Sequence, residues 1–288
     1  MSSSLQDFRF LHPLRVRWSE VDMQKIVFNA HYLMYLDTAM GAYWRELALP
    51  YADTMASLEG DLFVKKATLE YHAPALYDEL LQVGLRLESI GNSSLRYAGA
   101  VFRNGALLVS AELIYVFADP ASRTSRQVPT ALRKVLSDFE AGAPMIETIA
   151  GSWQVLGESI TPLRNSVFVN EQKISPALVY DDADESAIHA AVVNGLGRVV
   201  SSGRLLVHAP GIGRIGRIAT DPALRGHGLA REVLHALMNA SKQRGDRAIV
   251  LHAQTSAAGF YRKEGFEPVG PEFEEAGIAH QEMEIRWP

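Results

Sequence analysis

Apolar residues recur at helical spacing from Ala30 to Ala48, and the segments that follow alternate apolar and polar positions as strands do. These segments are Phe63–His72, Leu80–Ile90, Ser94–Arg103 and Leu107–Ala118. Gly91-Asn92-Ser93 separates the second from the third, and Asn104-Gly105 the third from the fourth. Asn-Gly between two strands is a strong hairpin signal. Pro13–Glu20 reads as a further strand, so the pattern predicts one long helix wrapped by a mostly antiparallel sheet, an α+β domain. Pro129–Glu140 reads as a helix, and Ala141-Gly142-Ala143-Pro144 ends it. Beyond this point helices and strands alternate, which predicts an α/β domain. Arg214–Thr220 and Leu251–Gln254 read as strands of it, with a helix from Leu229 between them and a short helix at Ala257–Lys263 after them. The expected division is a domain at 1–142, a linker at 143–150 and a second domain at 151–288.

Composition narrows the function classes. With 288 residues, 48% hydrophobic and 21% charged, the chain is an ordinary globular protein long enough for two cores. Its net charge of −5 is shared between the halves, −2 up to Gly142 and −3 beyond, with no basic patch, which argues against nucleic acid as a partner. The absence of cysteine excludes disulfides, thiolate metal sites and a cysteine nucleophile. No metal-ligand spacing such as His-Glu-x-x-His occurs, so no metal is expected. Met1–Asp7 lacks the charged and apolar regions of a secretory signal, and no apolar run approaches the roughly 20 residues that cross a bilayer. A cytoplasmic protein with no membrane partner is expected.

Candidate chemistry is densest at Arg225-Gly226-His227-Gly228-Leu229-Ala230, between a strand and a helix. A glycine-bearing loop that opens a helix presents unpaired N–H groups at the positive end of the helix dipole, a seat for phosphate. Glycine there lets backbone approach a ligand, and arginine adds charge. Downstream, Phe260-Tyr261-Arg262-Lys263-Glu264-Gly265-Phe266 supplies a phenol that stays protonated at neutral pH and can donate to a leaving thiolate. Arg225, Gly228 and Ala230, together with the Phe260-Tyr261 pair, resemble the signature of the GNAT superfamily of acyl-CoA-dependent N-acyltransferases. The resemblance spans roughly 150–288 and implies a mixed, centrally splayed sheet flanked by helices. It implies that Arg225–Ala230 hold the pyrophosphate of coenzyme A, that Ile218-Ala219-Thr220 pair with the pantetheine arm, and that Tyr261 is the general acid. Val167–Gln172 and Glu267–His280 are similar to the ElaA-like branch, which puts Glu171, Gln172 and His280 at the acceptor pocket. The base remains open among Glu171, His189, His208, His252 and His280.

In the first half the informative run is Arg17 to Tyr32, joining the first strand to the long helix. A carboxylate ahead of a helix N-terminus, such as Asp22, faces free N–H groups able to bind the oxyanion of an attacked thioester. Asp22 would attack directly or deprotonate water; an aspartate in this position also commonly caps a turn or helix. The order of elements and this run resemble the hotdog-fold 4-hydroxybenzoyl-CoA thioesterase-like family over roughly 10–140. The resemblance makes Asp22 the catalytic aspartate and the Asn29 N–H the oxyanion donor. Lys25 stands where that family has glycine, whose freedom at positive φ lets the backbone approach the thioester. The lysine is read as a cation at the mouth of the site, as a contact to CoA phosphate, or as the mark of a domain that no longer hydrolyses. His31, Tyr32 and Tyr35 read as packing residues of the helix, with Glu46 an outside candidate carboxylate.

The two resemblances together imply a bifunctional enzyme that hydrolyses an acyl-CoA thioester in its first domain and transfers an acetyl or acyl group from CoA to an amine in its second. Acyl-CoA and an amine acceptor are the expected partners, with a homodimer or homotetramer formed through the hotdog domain. Two alternatives stand beside this reading: an N-acetyltransferase whose hotdog domain only dimerises, and a regulatory protein that senses a CoA ligand.

Overall fold

The computed structural model describes residues Ser4–Trp287, and the chain divides into two compact units between Met145 and Ile146. The first unit runs β1 (Phe10–Arg15), α1 (Asn29–Glu46), α2 (Tyr51–Ser57), β2 (Asp61–Tyr71), β3 (Leu80–Ile90), β4 (Ser94–Arg103), β5 (Ala106–Ala118) and α3 (Thr130–Glu140). Its strands form an antiparallel sheet in the order β1-β3-β4-β5-β2. Helix α1 lays Tyr32, Tyr35, Leu36, Ala39, Met40, Tyr43 and Trp44 against that sheet. Gly99 of β4 admits the helix: a Cβ there would lie 2.7 Å from the Leu36 side chain. Asn104 and Gly105 both take positive φ, as the tight turn between β4 and β5 requires. This is the hotdog arrangement, a long helix wrapped by an antiparallel sheet.

One expectation fails locally. The strand read over Pro13–Glu20 ends at Arg15, and Trp18–Glu20 forms a 3₁₀ turn. The Glu20 carboxylate closes that turn by accepting the Arg17 N–H at 2.7 Å and the Arg17 Nε–H at 2.6 Å. Pro13 stays within β1 because β1 is an edge strand, where the missing N–H removes no ladder bond.

The second unit runs β6 (Ile146–Gly151), α4 (Trp153–Arg164), a π-helical segment (Asn165–Glu171), α5 (Pro176–Val179), β7 (Ile188–Asn194), β8 (Val199–Ala209), β9 (Ile212–Thr220), α6 (Leu229–Arg244), β10 (Ala248–Gln254), α7 (Ala258–Lys263), β11 (Glu267–Glu275) and β12 (Ile278–Arg286). Its seven strands are ordered β11-β12-β10-β9-β8-β7-β6. The stretch 143–150, read as linker from its small residues and proline, carries most of β6, which pairs with β7 from Ile146 to Gly151. Composition alone hides this strand because it is short and lies at the sheet edge.

The sheet splays at its centre. Strands β9 and β10 are the only parallel pair among those described, and their pairing stops at Ile215 with Leu251. Just beyond, a register shift leaves Arg217 and Ile218 opposite Gly203 of β8, with Arg217 at φ 54°. Such a bulge bends its strand, and here it carries β9 away from β10.

A buried charge network anchors the unit. Arg164, fully buried, donates to both Asp184 oxygens at 3.0 and 2.9 Å, and Arg204 reaches Asp184 at 2.9 Å and Asp181 at 2.6 Å. Breaking a buried pair strands its partner charge at a cost of about 3–5 kcal/mol. Asp184→Ala should therefore lower the urea midpoint of this unit's unfolding transition by that order of free energy, and an unchanged midpoint would contradict the role given to the network.

Candidate functional site

The first unit carries a groove of about 490 Å³ lined by Asp22, Gln24, Ile26, Val27, Phe28, Asn29, Tyr32 and the stretch Tyr71–Pro74. The structure thus brings Asp22 and Asn29 to one groove. Asp22 Oδ1 accepts the Gln24 N–H at 2.7 Å, and its carbonyl accepts the Lys25 N–H at 2.9 Å, so the aspartate does cap a tight turn. Its Oδ2 makes no hydrogen bond among the described residues. Asn29 begins α1, and its N–H likewise has no partner there. Its carbonyl accepts the Tyr71 hydroxyl at 3.2 Å.

Lys25 adopts φ 64°, the left-handed conformation that glycine takes without strain. The backbone therefore keeps the form for which a glycine would be suited, and the lysine side chain lies exposed without an ion pair to Asp22.

Sequence reasoning passed over Glu20. This carboxylate is 2% exposed and receives the Tyr35 hydroxyl at 2.7 Å besides the Arg17 groups. Burial pushes its pKa up, but the Arg17 N–H, Tyr35 and Arg17 guanidinium more than offset that, leaving it below the ordinary value. Its stabilisation is present above the unfolded-state pKa and is lost as pH falls through the depressed folded value. Glu20 also accepts the Phe28 N–H through its own carbonyl at 2.9 Å, fixing the entry to α1. The Arg17-x-x-Glu20 spacing was the available signal. Tyr32 and Tyr35 are buried as expected of packing residues, and Tyr32 also accepts the Ala75 N–H at 2.8 Å. Glu46 lies exposed near the far end of α1, away from the groove lining.

In the second unit, Asp221 makes a cap ahead of the glycine loop, accepting the Ala223 N–H at 3.0 Å. Gly226 and Gly228 follow at φ 84° and 82°, and Gly228 is the N-cap of α6. The N–H groups of Gly226, Gly228, Leu229 and Ala230 have no partner among the described residues. A Cβ at either glycine would meet nothing within 4 Å, so the loop is open to a ligand. Leu229 buries its side chain in the core, leaving its N–H outside, and His227 is exposed. This arrangement suits a pyrophosphate. Ile218-Ala219-Thr220 form the part of β9 that has left β10.

Arg225 forms a two-pronged pair with Glu171, at 2.7 and 2.6 Å. The hydrogen bonds from that guanidinium hold the Glu171 carboxyl below its ordinary pKa, which makes it a poor proton acceptor. Gln172, the residue after the π-helical segment, accepts from Gln254 of β10 at 3.3 Å. His280 is buried, donates from Nδ1 to the Ile278 carbonyl at 2.8 Å and stacks on Phe273. Tyr261 lies against the Phe260 and Phe266 rings, and burial pushes its phenol up to about 12. His189 is consumed by the buried network: burial lowers its pKa, and Nε2 lies 2.9 Å from the Asp184 carbonyl. His208 is exposed on β8. Among the described residues no cluster of three or more His, Asp or Glu is placed to hold a metal ion, and no helix is long and apolar enough to cross a membrane.

With this geometry in hand, the model of the thioesterase-like superfamily matches residues 16–136, and that of the acetyltransferase (GNAT) domain matches residues 158–287. The chain joins a thioesterase-like hotdog domain to a GNAT domain. The GNAT half is 32% identical over 122 residues to the uncharacterized N-acetyltransferase YjcF of Bacillus subtilis, covering 42% of this chain and 86% of that relative. The hotdog half is 27% identical over 132 residues to the acyl-CoA thioester hydrolase YbgC of Escherichia coli, covering 46% of this chain and 96% of that relative. A solved thioesterase of Thermus thermophilus, complexed with coenzyme A and Zn, is 24% identical at a TM-score of 0.43, covering 49% of this chain and all of that one. Both domain families use CoA-linked substrates, and the pair of domains supports acyl-CoA hydrolysis and acyl transfer in general.

Left-handed backbone costs a non-glycine residue about 1 kcal/mol. Lys25→Gly should therefore raise the stability of the hotdog domain by about that amount, and Lys25→Val should lower it. Thermal melts of the two variants check this; equal melting temperatures would contradict the strain.

Proposed function

We propose that the chain is a bifunctional acyl-CoA enzyme of the cytoplasm: a hotdog thioesterase fused to a GNAT N-acyltransferase. The observation that carries this reading is that the hotdog domain sets an open helix N-terminus beside Asp22, while the GNAT domain opens α6 with a glycine loop whose N–H groups are free. In the hotdog domain the Asn29 N–H would stabilise the oxyanion while Asp22, through its free oxygen, attacks the carbonyl or takes a proton from water. In the GNAT domain the loop Arg225–Ala230 would hold the pyrophosphate, with Ile218–Thr220 offering backbone to the pantetheine arm. An amine attacks the thioester, and Tyr261, protonated throughout the physiological range, gives its proton to the thiolate. Glu171, Gln172 and His280 would border the acceptor. The positive φ of Lys25 favours a hotdog loop that keeps its working shape over one that has drifted out of use.

The sheet edge supports self-assembly. Strand β2 closes the hotdog sheet with a free edge, and Phe63 and Val64 on it are exposed, as are Leu33 and Met34 on α1. An exposed strand edge with apolar neighbours is a template for pairing, so a homodimer or homotetramer through this domain is expected. Light scattering at micromolar concentration checks it, and a monomer would contradict it.

The activity test is thiol release from a panel of acyl-CoAs, with and without added amines. Asp22→Ala should reduce amine-independent release by roughly 10²–10⁴-fold, the usual weight of a general base, and spare acyl transfer. Tyr261→Phe should do the reverse. Loss of both activities in either variant would undo the assignment of one chemistry to each domain.

A further inference from the structure

We infer that His252, oriented by Glu275, takes the proton from the acceptor ammonium in the GNAT domain and so makes it a nucleophile. This rests on the reading that the domain acylates an amine, and it fills the one role that reading leaves empty. His252 is the first residue of β10 beyond the last parallel pair with β9, at the point where the sheet opens. Gln254, two residues on and therefore on the same face of the strand, contacts Gln172 at the end of the π-helical segment. His252 thus faces the side of the sheet on which the acceptor residues gather.

Its surroundings fit the role. Nδ1 lies 2.7 Å from Glu275 Oε2 and 3.0 Å from Arg214 Nη2. The shorter contact, to a group that only accepts, assigns the proton to Nδ1, so Arg214 Nη2 donates nothing to that nitrogen, and the Nε2 lone pair has Arg214 Nη2 at 3.5 Å beside it. Phe273 of β11 packs its ring against the imidazole at 4.7 Å, and Glu282 of β12 lies 3.5 Å from Nε2. The charged groups facing the imidazole are therefore Arg214 from β9, Glu275 from β11 and Glu282 from β12. Burial raises the Glu275 pKa, but the hydrogen bond from His252 and the charges of His252, His280 and Arg214 bring it below its ordinary value, so it stays an anion able to orient the ring. Of the other candidates, Glu171 is held by Arg225 and His189 by the buried network, His208 is exposed on β8, and the ring of His280 is anchored by a backbone carbonyl and not by a carboxylate.

The step balances as follows. One proton passes from the ammonium to His252 Nε2 and then to water. The amine lone pair forms the C–N bond and the C–S bond breaks. The thiolate takes the Tyr261 proton, and the new amide nitrogen returns its surplus proton to the phenolate. The sum is acyl-CoA plus ammonium giving amide, CoA thiol and one proton.

The test uses the full chain with acetyl-CoA and spermidine, lysine and phenethylamine as acceptors, reading amine-dependent thiol release against pH. The wild type should turn over at least one amine with an acid limb in kcat/KM. His252→Gln should cut kcat by roughly 10²–10⁴-fold near neutrality, leave the KM for acetyl-CoA unchanged, and recover steadily as alkaline pH supplies free amine. Glu275→Gln should lower kcat, by less than His252→Gln does, and leave the KM for acetyl-CoA unchanged, because the ring stays in place but loses the anion that orients it. His252→Gln retaining both rate and acid limb, while Tyr261→Phe loses activity, would overturn the role of His252 and leave the transferase reading intact. Should His252→Gln fail to fold, a kcat in Glu275→Gln equal to that of the wild type overturns it. No amine turnover by the wild type would overturn the transferase reading and this inference with it.

Discussion

In each domain a buried carboxylate holds the turn that feeds the working helix, and the free N–H groups at the helix start depend on it. Glu20 ties the 3₁₀ turn to Tyr35 on α1 and, through its carbonyl, fixes Phe28 directly ahead of Asn29. Asp221 caps the turn before the glycine loop and pairs with Arg198 at 3.0 Å. A charged hydrogen bond of this kind contributes about 1.5–3 kcal/mol, enough to hold a short segment against its own entropy. Without it the first turn of either helix would fray, and its N–H groups would no longer point one way.

The GNAT domain adds a second layer of constraint. Pro162 lies inside α4, where it removes one ladder hydrogen bond, and past Arg164 the helix widens into the π-helical segment. That segment delivers Glu171 to Arg225 and Gln172 to Gln254, so one departure from regular helix supplies contacts to both the glycine loop and the opened strand. Arg217, at the bulge of β9, donates to the Leu178 and Val179 carbonyls and ties α5 to the bulge that opens the sheet.

Much of this was legible in the sequence, because periodicity and turn chemistry are local. Helix α1 and the three long hairpin strands follow from apolar spacing, and the Asn104-Gly105 turn from its own turn chemistry. The positive φ of Lys25 could be anticipated only because a glycine is suited to that position in the resembling family. What stayed hidden depends on partners distant in sequence. Glu20 reads as a strand residue until Tyr35, fifteen positions later, is seen to bond it. Arg225 reads as a free phosphate ligand until Glu171 is found across from it. His252 is one of nine histidines until the strand pairing places it at the splay.

The two domains treat their carboxylates differently, and the difference matches the chemistry each is proposed to perform. Hydrolysis needs a carboxylate with an oxygen free to meet water or the carbonyl, and Asp22 has Oδ2 uncommitted. Aminolysis is harmed by such a group near the thioester, since water activated there would compete with the amine. In the GNAT domain Glu171 and Glu275 are each bound to a basic side chain, Arg225 and His252. A carboxylate held by a cation is a weaker base and a weaker nucleophile than a free one. On the proposed reading, pairing these residues would do more than orient their partners: it would leave no free carboxylate among them to activate water against the amine.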